Sequence, residues 1–399
     1  MRILILNTWY YPNMMGGAEH SVKLLAEGLA KRGVEVGVFT IDCSQHTHEV
    51  ETINGVRVYR GTGCRYDVRR AYTTKRRGVS GVWKKFIELY NPSITEELKW
   101  VNNSFKPDVV HANCISGISL ACIPFFKKKS IPIIYTVRDF YLCNYRNVND
   151  ELPKNTIVLS LALWCYRLLP RLLTRNVTAV VAPSSYMLKY ILSKGLFEGC
   201  KKRNVIYNCV DTDVETIKEC QAGKARHSYK NFIYAGSIVD VKGVGVLLEA
   251  FCRTSKVKGS LTICGNGPMA RTVEEMSHTD KRIRYLGSLS KDDLIKEYDN
   301  ADVIIVPSLW AEPFGRVVIE GAAHGLVVIG SNQGGIPEII NTLQCGLIWN
   351  TTDKSSLTRL IEQINNEEVS KYQDHVLYSI GQYSLDRQIQ QYLSLYSSL

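Results

Sequence analysis

The sequence has no long apolar run, no paired cysteines and no dehydrogenase-type dinucleotide fingerprint, and each absence removes a class of function. No stretch approaches the ~18 uninterrupted apolar residues that a membrane span requires. The most apolar one, Thr156–Leu173, is broken by Arg167, Pro170 and Arg171. The opening "MRILILNTWYYP" reaches Asn7 too early for a secretory signal, so a cytoplasmic location is expected. Twelve cysteines are scattered without a C-x-x-C pair, which fits reduced thiols and leaves no ligand spacing for zinc. No metal site is expected. G-x-G-x-x-G is absent, and no acidic residue after the second strand is placed to hold a ribose, which sets NAD aside.

Acids are scarce in the first part of the chain. Residues 1–231 carry 34 Lys and Arg against 19 Asp and Glu, whereas 232–399 carry 15 against 19. Between Arg60 and Lys85 nine bases accompany one acid, with Tyr66, Tyr72 and Trp83 interleaved. This is either a solvated loop or a patch for anionic lipid or a phosphate-bearing acceptor, carried by Arg69, Arg70, Lys75, Arg76 and Arg77. No nucleic-acid motif accompanies the charge, so no nucleic acid is expected as a partner.

What is present is an alternation of short β-branched runs with helical patterns. Ile3–Asn7, Glu35–Thr40, Asp108–Ala112, Ile131–Val137 and Ala179–Ser184 read as strands. The pattern restarts at Asn231–Ser237 and continues through Ser260–Gly267, Arg282–Ser288, Asp302–Ser308 and Leu326–Ser331. Continuous apolar strands between amphipathic helices mark parallel sheets covered on both faces. A chain of 399 residues exceeds one core. The expectation is α/β, with two doubly wound Rossmann-like domains facing an interdomain cleft, over 1–203 and 204–384. A terminal helix over 385–399 is expected to pack back on the first domain. No 20–50-residue repeat or low-complexity tract is visible.

Ligands in such sheets bind beyond the C-terminal strand ends, so the glycine turns there are the candidates. Gly16 and Gly17 open the first helix and would let a ligand approach the backbone closely; a tight turn needed for packing explains them equally well. Lys242, before a helix that begins near Gly243, is poorly placed for the dipole unless it faces an anion such as phosphate. In "EPFGRVVIEGAAHG", Pro313 suits a first helical turn, which puts Glu312 at or just before the helix start. The amides of Phe314, Gly315 and Arg316 would then meet an oxygen-rich ligand. Glu320, eight residues on, lies within ~80° of the Glu312 face. An acid/base pair, a hydroxyl-reading site and a solvated helix face all fit two such carboxylates. The adjacent strand and the Gly-Gly turn of "SNQGGIPEII" weigh toward a site.

The motifs "GGAEHSVKLLAEGLAKRGVEV", "DVVHAN", "YNCVDTD", "YAGSIVDVKGVGVLLEAF", "ICGNGP", "PSLWAEPFGRVVIEGAAHG" and "NQGGIPEII" occur in this order over nearly the whole chain. In them the chain resembles retaining family 4 glycosyltransferases, of the bacterial surface-polysaccharide type and the GT-B architecture. The resemblance implies a hexosyltransferase-type, metal-independent enzyme with no cofactor, using a UDP- or GDP-linked sugar as co-substrate. It implies Glu312 at the donor sugar and Glu320 on the nucleotide ribose. The diphosphate would be held by the Gly16–Gly17 turn, Lys242 and the Phe314–Arg316 amides. The implied acceptor is a lipid-linked saccharide in O-antigen or capsule assembly, reached peripherally at the inner face of the cytoplasmic membrane.

Three departures bear on the site. Ser237 stands where the family often has an Arg, removing one phosphate contact for which Arg316 would compensate. Arg138, in "VRDF", stands where many members have His. A guanidinium stays charged and cannot act as a general base; Arg138 joins Glu312 in the catalytic set as a holder of a hydroxyl, carboxylate or phosphate. Cys209 replaces the usual Gly of N-G-V-D, and the D-x-D of Asp211 and Asp213 reads as structural. The glutamate pair argues against an epimerase, and the lack of a pyridoxal-phosphate lysine motif against a phosphorylase. The alternatives are a non-catalytic sugar-nucleotide-binding partner of another transferase, or a transferase to a soluble acceptor.

Overall fold

The apolar runs form two separate, almost wholly parallel sheets in the computed structural model, which describes residues 1–13, 16–41, 48–61, 86, 88–144, 157–210, 217–218, 230–254, 257, 259–364 and 366–399. The expected basic patch (Arg69, Arg70, Lys75, Arg76, Arg77) and the pair Asp211 and Asp213 lie outside these residues.

The elements run in this order: β1 (Arg2–Leu6), α1 (Gly17–Lys31), β2 (Glu35–Ile41), β3 (Glu49–Ile53), β4 (Val56–Gly61), α2 (Ile94–Phe105), β5 (Val109–Ala112), α3 (Cys122–Lys127), β6 (Ile133–Thr136), α4 (Ile157–Thr174), β7 (Ala179–Ala182), α5 (Ser185–Ser193) and β8 (Lys202–Val205). They continue with β9 (Phe232–Ala235), α6 (Val244–Cys252), β10 (Leu261–Cys264), α7 (Ala270–Thr279), β11 (Ile283–Gly287), α8 (Lys291–Asp299), β12 (Val303–Val306), α9 (Arg316–Ala323), β13 (Val327–Ser331), α10 (Ile336–Leu343), β14 (Gly346–Trp349), α11 (Lys354–Gln363), α12 (Asn366–Ser379) and α13 (Leu385–Ser397).

Unit 1 comprises Met1–Tyr207 and Leu385–Leu399. Its sheet has the order β3-β4-β2-β1-β5-β6-β7-β8, parallel except for the edge strand β3, which is antiparallel to β4. The hairpin β3–β4 is absent from the sequence expectation. It turns on Asn54 and Gly55, both at positive φ, the Asn-Gly pair that suits a tight hairpin. Strand order reverses between β1 and β5, the switch point at which open α/β sheets bind ligands.

The core strands Ile3, Ile5, Val36, Val38, Val109 and Ile134 pack with Leu25 and Leu29 of α1 and with Ile389, Tyr392 and Tyr396 of α13. A Cβ on Gly28 of α1 would lie 2.4 Å from Ile389, so α1 and α13 are in close contact there. The last helix is therefore part of the core of unit 1, and its hydroxyls reach the sheet. His111 of β5 is fully buried, with Nδ1 2.7 Å from the Tyr396 hydroxyl and Nε2 2.7 Å from the Thr136 hydroxyl. Thr136 is in turn 3.1 Å from the Tyr392 hydroxyl.

Burial, and after it the charge of Arg138, pushes the His111 pKa down to about 3. An unfolded histidine takes up a proton below about pH 6.5, whereas the folded one stays neutral until near pH 3. Unit 1 therefore loses stability as pH falls through that window, by up to ~1.4 kcal/mol per pH unit. The expected outcome is a urea midpoint that drops between pH 7 and pH 5, with a shallower drop for His111→Gln. Equal slopes in the two proteins would contradict the buried neutral ring.

Unit 2 is Asn208–Ser384, with a fully parallel sheet of order β11-β10-β9-β12-β13-β14. Its core joins Phe232, Ile263, Val303, Ile305, Val327 and Ile329 to Leu247 and Phe251 of α6 and to Trp349. The switch point here lies between β9 and β12, and the loops after those two strands carry Lys242 and Glu312.

Candidate functional site

In unit 2 the loop after β9 makes a short 3-10 turn over Asp240–Lys242 and enters α6 through Gly243. Gly243 has φ 75°, and a Cβ there would sit 1.9 Å from the Pro307 carbonyl oxygen. Glycine is required, and it brings this loop hard against the one that follows β12. Two backbone bonds lock the pair: the Leu309 and Trp310 N–H groups both donate to the Val241 carbonyl, at 2.9 and 3.2 Å. Lys242 is thereby presented directly opposite Glu312.

Three donors converge on one oxygen of Glu312. Its Oε1 is 2.5 Å from Lys242 Nζ, 2.9 Å from Trp310 Nε1 and 3.1 Å from Ser308 Oγ. The Lys242 ammonium also stands 5.0 Å from the Trp310 ring centre, a cation–π contact. The Glu312 side chain is 13% exposed. Burial, and after it the charge of Glu312, raises the Tyr234 hydroxyl pKa above its usual value. Glu312 is thus a partly buried carboxylate with a fixed direction.

The helix does not begin where the Pro313 reading places it. α9 starts at Arg316, and its N-cap is Gly315 in the left-handed region, at φ 100°. Glu312 and Pro313 belong to the preceding loop, so helical phase does not set the direction of Glu312. Its backbone is set by the second Gly-Gly turn instead. The Gly335 N–H donates to the Glu312 carbonyl at 2.8 Å. A Cβ on Gly334, which has φ 62°, would lie 2.2 Å from that same oxygen. "NQGGIPEII" therefore serves the site by close backbone packing. Phe314 is buried with its ring tilted against Tyr383.

Glu320 lies on α9 itself. Its Oε1 accepts from Arg316 Nε at 2.5 Å, with the two side chains 31% and 15% exposed. Burial, and after it the charge of Glu320, holds the Tyr298 hydroxyl well above its usual range. Arg316, expected as a phosphate contact, is engaged with Glu320. Ser237 is exposed just after β9, where its carbonyl accepts from the Tyr234 hydroxyl at 2.8 Å.

In unit 1, Gly16 is the N-cap of α1 and Gly17 its first residue. Gly16 has an extended backbone, and among the described residues a Cβ there would meet Glu19, at an ordinary 3.7 Å. Arg138 follows β6 and is buried, with Nε donating to Asn113 Oδ1 at 2.8 Å. Asn113 follows β5 and is anchored by its N–H to the Leu6 carbonyl at the end of β1. Arg138 is therefore held at the switch point of unit 1. Burial raises the nearby Cys114 thiol pKa well above its usual value, followed by the charges of Asp139 and Glu19, while Arg138 opposes the shift.

Sequence reasoning missed Ser308, Trp310 and Asn113. Trp310 had a signal, an indole two residues before the key carboxylate. Asn113 had only its place at the end of an apolar strand.

The family described as Glycosyltransferase Family 4 matches residues 15–214, and that described as Glycosyl transferases group 1 matches residues 217–378. The "Uncharacterized 42.6 kDa protein in cps region" of Klebsiella pneumoniae is 32% identical over 357 residues, covering 86% of this chain and 88% of that protein. The glycogen synthase of Mycobacterium tuberculosis is 24% identical over 91% of this chain and 86% of its own. Among solved structures, sucrose-phosphate synthase from Thermosynechococcus elongatus aligns with a TM-score of 0.74 at 19% identity, covering 100% of this chain and 98% of that one. Anabaena Alr3699/HepE in complex with UDP aligns with a TM-score of 0.67 at 17% identity, covering 100% of both chains.

Proposed function

The chain belongs to the family 4 glycosyltransferases, with the GT-B fold, and from that premise we propose that it moves a sugar, with retention, from a nucleotide-sugar donor to a lipid-linked saccharide acceptor in surface-polysaccharide assembly. The observation that carries the reading is the convergence of Lys242, Trp310 and Ser308 on one oxygen of Glu312.

A carboxylate held by three donors is a poor proton shuttle and a good fixed acceptor for a sugar hydroxyl. Lys242 is the cation for the donor diphosphate, and together with the N-terminal amides of α9 it stabilises the leaving group without a metal. Glu320 takes the ribose, with Arg316 beside it. From unit 1 the reading takes Gly16 and Gly17 for the diphosphate and Arg138 for a hydroxyl, carboxylate or phosphate. In the transfer, the bond from the anomeric carbon to the diphosphate oxygen breaks and a bond to the acceptor oxygen forms. The acceptor proton leaves to the departing phosphate.

The nucleotide-sugar donor is supported by the UDP, UDP-glucose and UDP-plus-glucose complexes of Anabaena Alr3699/HepE. Capsule assembly is supported by the relatives named for the cps region of Klebsiella pneumoniae. The lipid-linked acceptor and the inner membrane face are supported by the basic excess of residues 1–231. Among the described residues no helix is long and apolar enough to cross a membrane.

A thermal-shift panel of nucleotides and nucleotide sugars tests the donor. One base is expected to raise Tm, because a ligand bound only by the folded state stabilises it. No shift with any UDP- or GDP-sugar at millimolar concentration would count against a donor site.

A further inference from the structure

Helix α4 shows unit 1 a face of Leu163, Tyr166, Pro170 and Thr174, all buried. Its opposite face is also apolar. Leu161, Trp164, Leu168 and Leu172 are 59%, 51%, 37% and 58% exposed, and Cys165 is exposed beside them. At about 100° per residue these five positions fall within an arc of about 100°, diametrically opposite the buried set. Single exposed leucines are ordinary in soluble proteins. Four large apolar side chains aligned over three turns form a patch of the kind that marks an interaction surface.

The chemistry of the helix selects the occupant. Ile157–Thr174 contains no Asp or Glu, and its charges are Arg167 and Arg171. Arg171 borders the stripe on the Trp164 side, and Arg167 lies one step further round. Both are fixed to unit 1 by Nε, donating to the Lys194 and Cys143 carbonyls at 2.7 Å each. Lys194, beside Arg171, lies over the Tyr190 ring. The stripe thus combines leucines, an indole and bordering cations; the one carboxylate near its Arg171 border among the described residues, Glu198, is paired with Arg175. Trp suits the boundary between acyl chains and headgroups. Eighteen residues interrupted by two arginines and a proline cannot cross a bilayer, but they can lie along it.

We infer that the exposed face of α4 docks on an anionic bilayer, with Leu161, Trp164, Leu168 and Leu172 entering the acyl boundary and Arg167 and Arg171 meeting lipid phosphates. The inference deepens the membrane part of the proposed function and adds a contact distinct from the basic run at 60–85. Its test needs neither donor nor acceptor, so its failure leaves sugar transfer standing.

The experiment is flotation of the full chain with phosphatidylethanolamine/phosphatidylglycerol vesicles and with phosphatidylcholine vesicles, for the wild type and for a Leu161→Ser, Leu168→Ser, Leu172→Ser variant. The substituted side chains are exposed, so Tm should be unchanged. The wild type is expected to float with the anionic vesicles, and the variant to partition about 10-fold less or worse. Brominated acyl chains should quench tryptophan emission in the wild type, and Trp164→Phe should remove most of that quenching. Equal flotation of wild type and variant would overturn the inference, as would loss of binding only when Arg69, Arg70, Lys75, Arg76 and Arg77 are neutralised. A wild type that does not float, and instead forms a dimer that the leucine substitutions dissolve, would reassign the stripe to a contact between copies.

Discussion

Glu312→Gln is expected to fold as the wild type does and to lose at least ~100-fold in turnover, the scale at which a lost transition-state contact registers. The amide keeps the size of the carboxylate, and its oxygen can still accept from Lys242, Trp310 and Ser308. What disappears is the negative charge. Lys242 then has no counter-ion on Glu312, so its full charge is available to the donor diphosphate. The donor KM should therefore stay level or fall while kcat collapses, the signature of an interaction made in the transition state. A structural role for Glu312 would instead lower Tm and raise KM. Steady-state kinetics beside a melting curve separate the two. Turnover like the wild type would remove Glu312 from the mechanism.

Glu320→Ala should give the opposite split. Glu320 is part-exposed and, among the described residues, pairs within its own helix, with Arg316 Nε at 2.5 Å. An i,i+4 pair within one helix contributes only a few tenths of a kcal/mol to stability, so folding should be spared. A charged hydrogen bond to a ribose hydroxyl is stronger, about 1.5–3 kcal/mol. Its loss should weaken free-nucleotide binding by about 10- to 150-fold and leave kcat close to normal. Calorimetric titration with the nucleotide chosen by the thermal-shift panel reads this directly. Unchanged affinity would contradict the ribose role.

These contrasting expectations rest on a division between the two carboxylates that was partly legible in the sequence. The parallel strands were legible because Val, Ile and Leu fill them without alternation, as in "VVHA", "AVVA" and "VIIV". The hairpin β3–β4 was not among the expected strands. Its edge strand β3 alternates Glu and Thr with Val and Ile and is only partly buried, whereas β4 is largely buried, and the Asn-Gly turn was the available cue. Strands β8 and β14 went unread because they are short and only partly buried.

The start of α9 was misplaced for a physical reason. Pro313 has the φ of a first helical turn, but Gly315 takes a left-handed conformation that interrupts any helix begun there. The convergence on Glu312 was beyond sequence spacing, because it depends on the backbone bonds from Leu309 and Trp310 to Val241, some 70 positions away. Likewise Arg138 and Asn113 are 25 residues apart and meet only because β5 and β6 are neighbours in the sheet. Chain chemistry announced which groups matter; tertiary contacts decided where each one points.

On the proposed reading the Glu312 site transfers sugar and does not merely bind a sugar nucleotide. Release of free nucleotide from the selected donor, followed over time with and without a lipid-linked saccharide acceptor, tests it most directly. Acceptor-dependent, multiple-turnover release by the wild type, abolished in Glu312→Gln, is the predicted result. Tight donor binding without release in the presence of any acceptor, or equal release by the two proteins, would contradict it.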